Sequence, residues 1–221
     1  MLSKISFGLL LSSSILFGNS FDLRKVILEP YVLNSKGSLS VMGKSLEVKA
    51  KNVSSGKTGK REFFQGKEFS IQTMNMDIFL NVDNKQNIKT DVNIKAFMDK
   101  YNNASYTEEK IYTNNKLTQT IKCKLVSGAM SIPGTLYEIG FKSDNMIQKC
   151  SNGDKRDSVM QLLATKNSNE AVLNIFTVVT HKNGSKENGI VKYKINREGD
   201  ILDHIMMVDL GNNIIIRLNS I

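Results

Sequence analysis

Across residues 74–98 apolar and polar side chains alternate almost without interruption. Met74, Met76, Ile78, Leu80 and Val82 take one parity, and Asn75, Asp77, Phe79, Asn81 and Asp83 take the other. After a polar stretch, Asn84 to Asn87, the alternation resumes. Ile88, Thr90, Val92, Ile94, Ala96 and Met98 then oppose Lys89, Asp91, Asn93, Lys95 and Phe97. A period of two over this length predicts a long antiparallel hairpin with one apolar face and one wet face. Just upstream, Phe69, Ile71 and Thr73 carry the opposite parity. A parity change inside a continuing strand predicts a bulge or bend near Met74.

The same period marks further strands. Leu117, Ile121, Cys123 and Leu125 define one face. A turn at Pro133-Gly134 leads into Thr135, Tyr137, Ile139 and Phe141. Residues 157–166 read as a strand in preference to a short helix capped by Asp157. Ala171 to Thr180 is apolar at nearly every position, as in a strand buried on both faces or lining a cavity. Val191 to Ile195, Leu202 to Leu210 and Ile214 to Leu218 complete a meander separated by Gly- and Asn-containing turns. Phe21 to Leu33 is the better helix candidate, ended or kinked by Pro30. Lys44 to Lys67, rich in Lys, Ser and Gly, reads as a long hairpin loop. The fold class expected is mainly β: about ten strands in an antiparallel up-and-down meander, forming a barrel or half-barrel, with one or two short helices.

The first twenty residues add a destination. Lys4 precedes an apolar run from Ile5 to Phe17, and Gly18-Asn19-Ser20 places small residues before a cut ahead of Phe21. That is the pattern of a secretory signal peptide, leaving residues 21–221 as a single domain. Export implies a Gram-negative periplasm or the cell exterior. No later segment approaches the ~20 apolar residues of a membrane helix, so the protein is expected not to span a membrane. Cys123 and Cys150 then read as a disulfide.

The formal charge of +9 draws anionic partners. Lys far outnumbers Arg and Asn is abundant, so codon bias accounts for part of the charge, and export argues against nucleic acid. The segment containing Lys57, Lys60, Arg61, Phe63 and Phe64 sets cations beside aromatics, a pattern for docking on membrane headgroups or acidic polymers.

Catalytic motifs are absent in usable form. Ser54 to Lys57 spells S-x-x-K, Lys57 to Gly59 spells K-T-G, and Ser143 to Asn145 spells S-D-N. One lysine would have to serve two separate elements of the penicillin-binding machinery, so acyl transfer is not expected. His181 and His204 lack a partner at metal-ligand spacing, and Asp200, Asp203 and Asp209 lack calcium-loop spacing. No metal, cofactor or enzymatic activity is expected.

Ten methionines, several on predicted strands, suit a pliable surface for variable apolar ligands. In architecture the layout resembles periplasmic lipid-carrier half-barrels and lipocalin-type barrels. The expected function is binding of a hydrophobic small molecule or lipid in the interior, through Met74, Met76, Ile78, Val92, Ile94, Phe176, His204 and Met206. The alternative is an envelope module that contacts anionic polymers, membrane or a partner protein through its basic segment.

Overall fold

The computed structural model describes residues 20–41, 43–82, 86–128, 136–211 and 213–221. In chain order the elements are β1 (Ser20–Asp22), α1 (Leu23–Leu28), β2 (Pro30–Val41), β3 (Lys44–Phe64), β4 (Lys67–Val82), β5 (Gln86–Met98), β6 (Ala104–Thr113) and β7 (Lys116–Ser127). They continue with β8 (Leu136–Glu138), β9 (Met146–Cys150), β10 (Lys155–Ala164), β11 (Glu170–Thr180), β12 (Lys186–Asn196), β13 (Ile201–Asp209) and β14 (Ile215–Ser220). Among the described residues twelve strands form one closed antiparallel barrel, β2 to β7 followed by β9 to β14, and β1 pairs with β8 outside it. The expected signal segment, up to residue 19, and the expected turn at Pro133-Gly134 lie outside the described residues.

The barrel closes where β14 pairs with β2, from Ile215↔Ser40 to Ser220↔Ser35. Gly37 sits inside this seam, where an added Cβ would lie 1.8 Å from the Arg217 carbonyl oxygen. Only a residue without a side chain permits so close an approach of two backbones. A second seam joins the short β9 to β7. There Cys123 lies opposite Cys150, and the two are disulfide-bonded. Such a bridge forms in an oxidising compartment.

Alternation sorts the side chains. Asn75↔Asn93, Asp77↔Asp91 and Phe79↔Lys89 face out from β4 and β5. Met74↔Ile94 and Met76↔Val92 face in. An outer face carrying Lys51, Asp77 and Asp91 in register across three strands suits water. Cationic side chains at a bilayer midplane would each cost ~2–4 kcal/mol. Among the described residues no helix is long and apolar enough to cross a membrane.

Eight strands make a barrel whose own side chains fill it; twelve leave a space to be plugged. The plug is α1. Asp22 caps it by accepting from the Arg24 backbone N–H at 2.9 Å. It ends before Pro30 because Pro holds the preceding residue, Glu29, extended. Leu23 and Val26 are buried with Phe21, Met160, Leu162, Ala171, Leu173 and Ile195. Each such burial contributes about 1.5–3 kcal/mol. Tyr137, Ile139 and Phe141 pack on the same cluster. A second cluster, Val48, Ala50 and Leu218 with Ile78 and Met206, fills another part of the interior.

Several expectations need correction. Lys44 to Lys67 is no loop: residues 44–64 form the longest strand, β3, and only Gln65-Gly66 turn. The helix is shorter than 21–33, because Phe21 belongs to β1 and Pro30 opens β2. Within the described part of the predicted strand, residues 136–141, Leu136–Glu138 is a strand, and it pairs with β1. The parity change at Met74 involves no bulge in the β4–β5 ladder, which runs continuously there. The bulges lie opposite, in β3, between Ser54 and Lys57 and between Lys57 and Arg61. Beyond them the β3–β4 hairpin buries its apolar residues on the outside of the sheet. Phe69 and Ile71 pack there with Phe97, Phe64 and Tyr106. Leu202 is exposed because the β12–β13 register shifts between Lys194 and Ile195.

Candidate ligand cavity

Between α1 and the barrel wall lies a cavity of about 230 Å³. Its wall is mostly apolar. β4 supplies Met74, β5 supplies Ile94, Ala96 and Met98, and β9 and β11 supply Met146 and Ile175. Val26 and Ile27 of α1 close one side. The methionines and the small Ala96 and Ala104 leave an irregular, deformable surface.

Four polar side chains interrupt it. Gln72 occupies an inward position one step before Met74 and donates to the Ile27 carbonyl at 2.8 Å. That carbonyl belongs to the last turn of α1, where no intrahelical donor remains, so Gln72 satisfies it and seats the helix. The seat also depends on Gly56. Its φ of +64° and a virtual Cβ only 2.6 Å from the Glu29–Pro30 backbone require glycine where the β3 bulge meets the end of α1. Asn102, in the β5–β6 turn, accepts from Lys57 Nζ at 2.6 Å. Tyr31 and Tyr193 complete the set, with ring centroids 6.4 Å apart. Burial raises the pKa of the Tyr31 hydroxyl, partly offset by hydrogen bonds from Tyr193 and Asn52. Burial drives the Tyr193 pKa well above its ordinary value, reinforced by Tyr31. Both are neutral phenols that can donate and accept. Behind them the Asn52 carboxamide oxygen is buried with no protein partner.

Of the residues predicted to bind ligand, the structure brings Met74 and Ile94 into this wall. Met76 and Val92 face inward one step further along the same strands. Ile78 and Met206 pack in the second cluster instead. His204 is buried, with Nε2 2.7 Å from Ser35 Oγ. Burial lowers its pKa against the opposing charge of Asp203, so it is a neutral imidazole. Neither Ser35 nor His204 lines the cavity. Phe176 is placed on the other side of the sheet. Its neighbours Leu173 and Ile175 take inward positions, while Phe176 lines a shallow outer depression with Val159 and Val178.

Of the cavity wall the predicted set holds only Met74 and Ile94; among the residues it lacks are the polar Tyr31, Gln72, Asn102 and Tyr193, and Met146. Gln72 was legible in part, as a polar residue at the inward parity of β4. Tyr193 was legible as a member of the Val191–Ile195 alternation; nothing local marked Tyr31, Asn102 or Met146. The S-x-x-K match dissolves, since Lys57 reaches Asn102 while Ser54 Oγ accepts from the Gly56 backbone N–H at 3.1 Å. Among the described residues no group of three or more His, Cys, Asp or Glu is placed to hold a metal ion. Comparison with family models, with curated proteins and with solved structures finds no match to this chain.

Proposed function

We propose that this barrel is an exported, non-enzymatic binding protein that encloses one apolar or amphipathic small molecule, lipid-like in chemistry. The observation that carries the reading is the apolar cavity between α1 and β4–β5. An apolar cavity of ~150 Å³ accepts benzene, and drug-sized ligands occupy ~300 Å³ or more. At about 230 Å³ this cavity lies between the two, room for a compact aromatic molecule or one medium-length alkyl chain. Binding draws on buried apolar area, worth roughly 25 cal/mol per Å² before ordering costs. Tyr31, Tyr193 and Gln72 offer hydrogen bonds to one hydroxyl, carboxyl or amide on an otherwise apolar ligand. The disulfide supports an oxidising, extracytoplasmic location.

The test is a titration with the fluorescent probe N-phenylnaphthylamine, displaced by medium-chain fatty alcohols and acids. A saturable signal is expected, lost in Ile94→Trp, where the added ring occupies the cavity. Tyr31→Phe should keep the apolar probe and weaken the alcohols. Absence of saturable binding by the folded wild-type protein would sink the reading.

A further inference from the structure

The basic and aromatic residues singled out in sequence fall at the closed end of the β3–β4 hairpin. Gln65 and Gly66 form its two-residue turn, both at positive φ. Past the β3 bulges this hairpin end lies against the outside of the barrel. Phe64 stacks at 4.9 Å from both Phe97 and Tyr106, and Tyr106 Oη donates to Gln65 at 2.9 Å. Phe64 is thus an internal fastener. Phe63, the next residue, alternates to the other side and is 79% exposed. The hairpin thus buries one Phe and presents its neighbour to solvent.

Cations flank the hairpin end. Lys60, Arg61 and Lys67 on it are exposed, Lys95 and Lys124 lie over the Phe97 and Tyr106 rings beneath it, and Glu68 stands opposite Phe63 across the hairpin. The opposing carboxylates are fewer. Glu62 takes Lys95 and Lys60, Glu68 takes Arg61, and Glu108 of β6 stands directly opposite Lys95. The patch keeps a positive excess around a protruding aromatic.

Its location relates it to the cavity. Ile71 and Phe97, under the hairpin, pair with one another across β4 and β5, and the next pair, Gln72 and Ala96, lines the cavity on the other side. One sheet thickness separates the two. Lys57, at the root of the bend, holds Asn102 in the cavity wall at 2.6 Å.

We propose that the β3–β4 hairpin docks the barrel onto an anionic lipid surface, with Phe63 entering the headgroup layer and Lys60, Arg61 and Lys67 meeting lipid phosphates. The ligand of the cavity then comes from, or goes to, the bilayer against which this wall rests. The second statement rests on the cavity reading; the docking does not. An exposed apolar group together with a basic cluster is the two-signal arrangement that holds a protein reversibly at a membrane.

Vesicle co-sedimentation tests it, with phosphatidylcholine alone and mixed with phosphatidylglycerol. Binding is expected only with the anionic lipid and should fall steeply toward ~0.5 M salt. The double variant Lys60→Glu, Arg61→Glu should bind at least about tenfold more weakly, at ~1 kcal/mol per basic residue near such a surface. Phe63→Ser should also weaken it. All these positions are exposed, and both variants should take up N-phenylnaphthylamine as the wild type does, which separates loss of docking from loss of the cavity. No binding to phosphatidylglycerol vesicles, or equal binding to neutral ones, overturns the proposal. So does tight binding to soluble dextran sulfate with Phe63→Ser without effect, which would assign the patch to acidic polymers.

Discussion

Arg156 of β10 and Glu109 of β6 meet inside the barrel in a two-pronged ion pair, with Nη2 to Oε2 at 2.8 Å and Nη1 on Oε1. β7 and β9 lie between their strands, so the pair crosses the interior beside the short β7–β9 seam. The side chains are 20% and 10% exposed, and Arg156 Nε is buried with no protein partner. Removing one member strands a charge in the interior. Glu109→Gln and Arg156→Met are each expected to cost about 3 kcal/mol in denaturant unfolding. The double variant Glu109→Leu, Arg156→Met should be close to neutral. Additive losses would mean the two residues act independently.

The disulfide clips the same seam. Its partners are 27 residues apart in sequence. Closing a loop of that length removes chain entropy from the unfolded state worth about 3.5 kcal/mol. Cys123→Ala with Cys150→Ala should lower the unfolding free energy by about that amount, with the denaturant slope reporting a more expanded unfolded state. An unchanged midpoint would show that β7 and β9 need no clip.

At the opposite seam the decisive residue is Gly37. Gly37→Ala must push β2 from β14, because the obstructing atom is backbone. A loss of at least about 2 kcal/mol is expected, with faster amide exchange at Leu218 and Asn219. Gly43, whose virtual Cβ meets nothing, has open space for the methyl group and differs only in backbone strain. If Gly37→Ala proves no worse than Gly43→Ala, the close approach is not what Gly37 is for.

The two histidines should act oppositely with pH. His181 is raised above its ordinary 6.5 by hydrogen bonds to Asp154, at 3.1 Å, and to Glu187. Its stabilising contribution is complete below pH 6.5 and disappears as pH rises through the raised value. His204 is lowered by burial. Its proton binds more readily in the unfolded chain, so stability falls as pH drops from 6.5 toward the lowered value. Against wild type, His181→Gln should lose more stability at pH 5.5 than at pH 8. His204→Asn should flatten the decline below pH 6.5. Parallel stability–pH curves for variants and wild type would contradict both assignments.

How much was legible depended on what lay inside each strand. β4 and β5 carry methionine, isoleucine and valine at inward positions, and their period was plain. β3 reads as a loop because its inward positions include Asn52 and Ser54 and its outward ones include Lys49 and Lys51. Those inner polar groups are acceptable only because Tyr31, Gln72 and a bulge wait beside them. β6 was overlooked for a related reason. Its inward Glu109 makes sense only opposite Arg156, 47 residues away. On β11 nearly every residue is apolar, so periodicity could not choose a face for Phe176. Pairing with β10 and β12 chose it.

By itself the sequence determined the fold class, the disulfide partners, the β4–β5 hairpin with its inward Met74 and Ile94, and the order of the C-terminal meander. The disulfide follows from there being only two cysteines; the rest are local quantities, set by side-chain alternation and turn chemistry. Only the tertiary structure decided that the sheet closes on twelve strands, that α1 plugs it, and that Tyr31, Gln72, Asn102, Met146 and Tyr193 share one cavity. Closure depends on the sum of twist and stagger over every strand, and a cavity is the volume left when distant elements cannot fill a barrel that wide. Neither quantity is written in any one stretch of the chain.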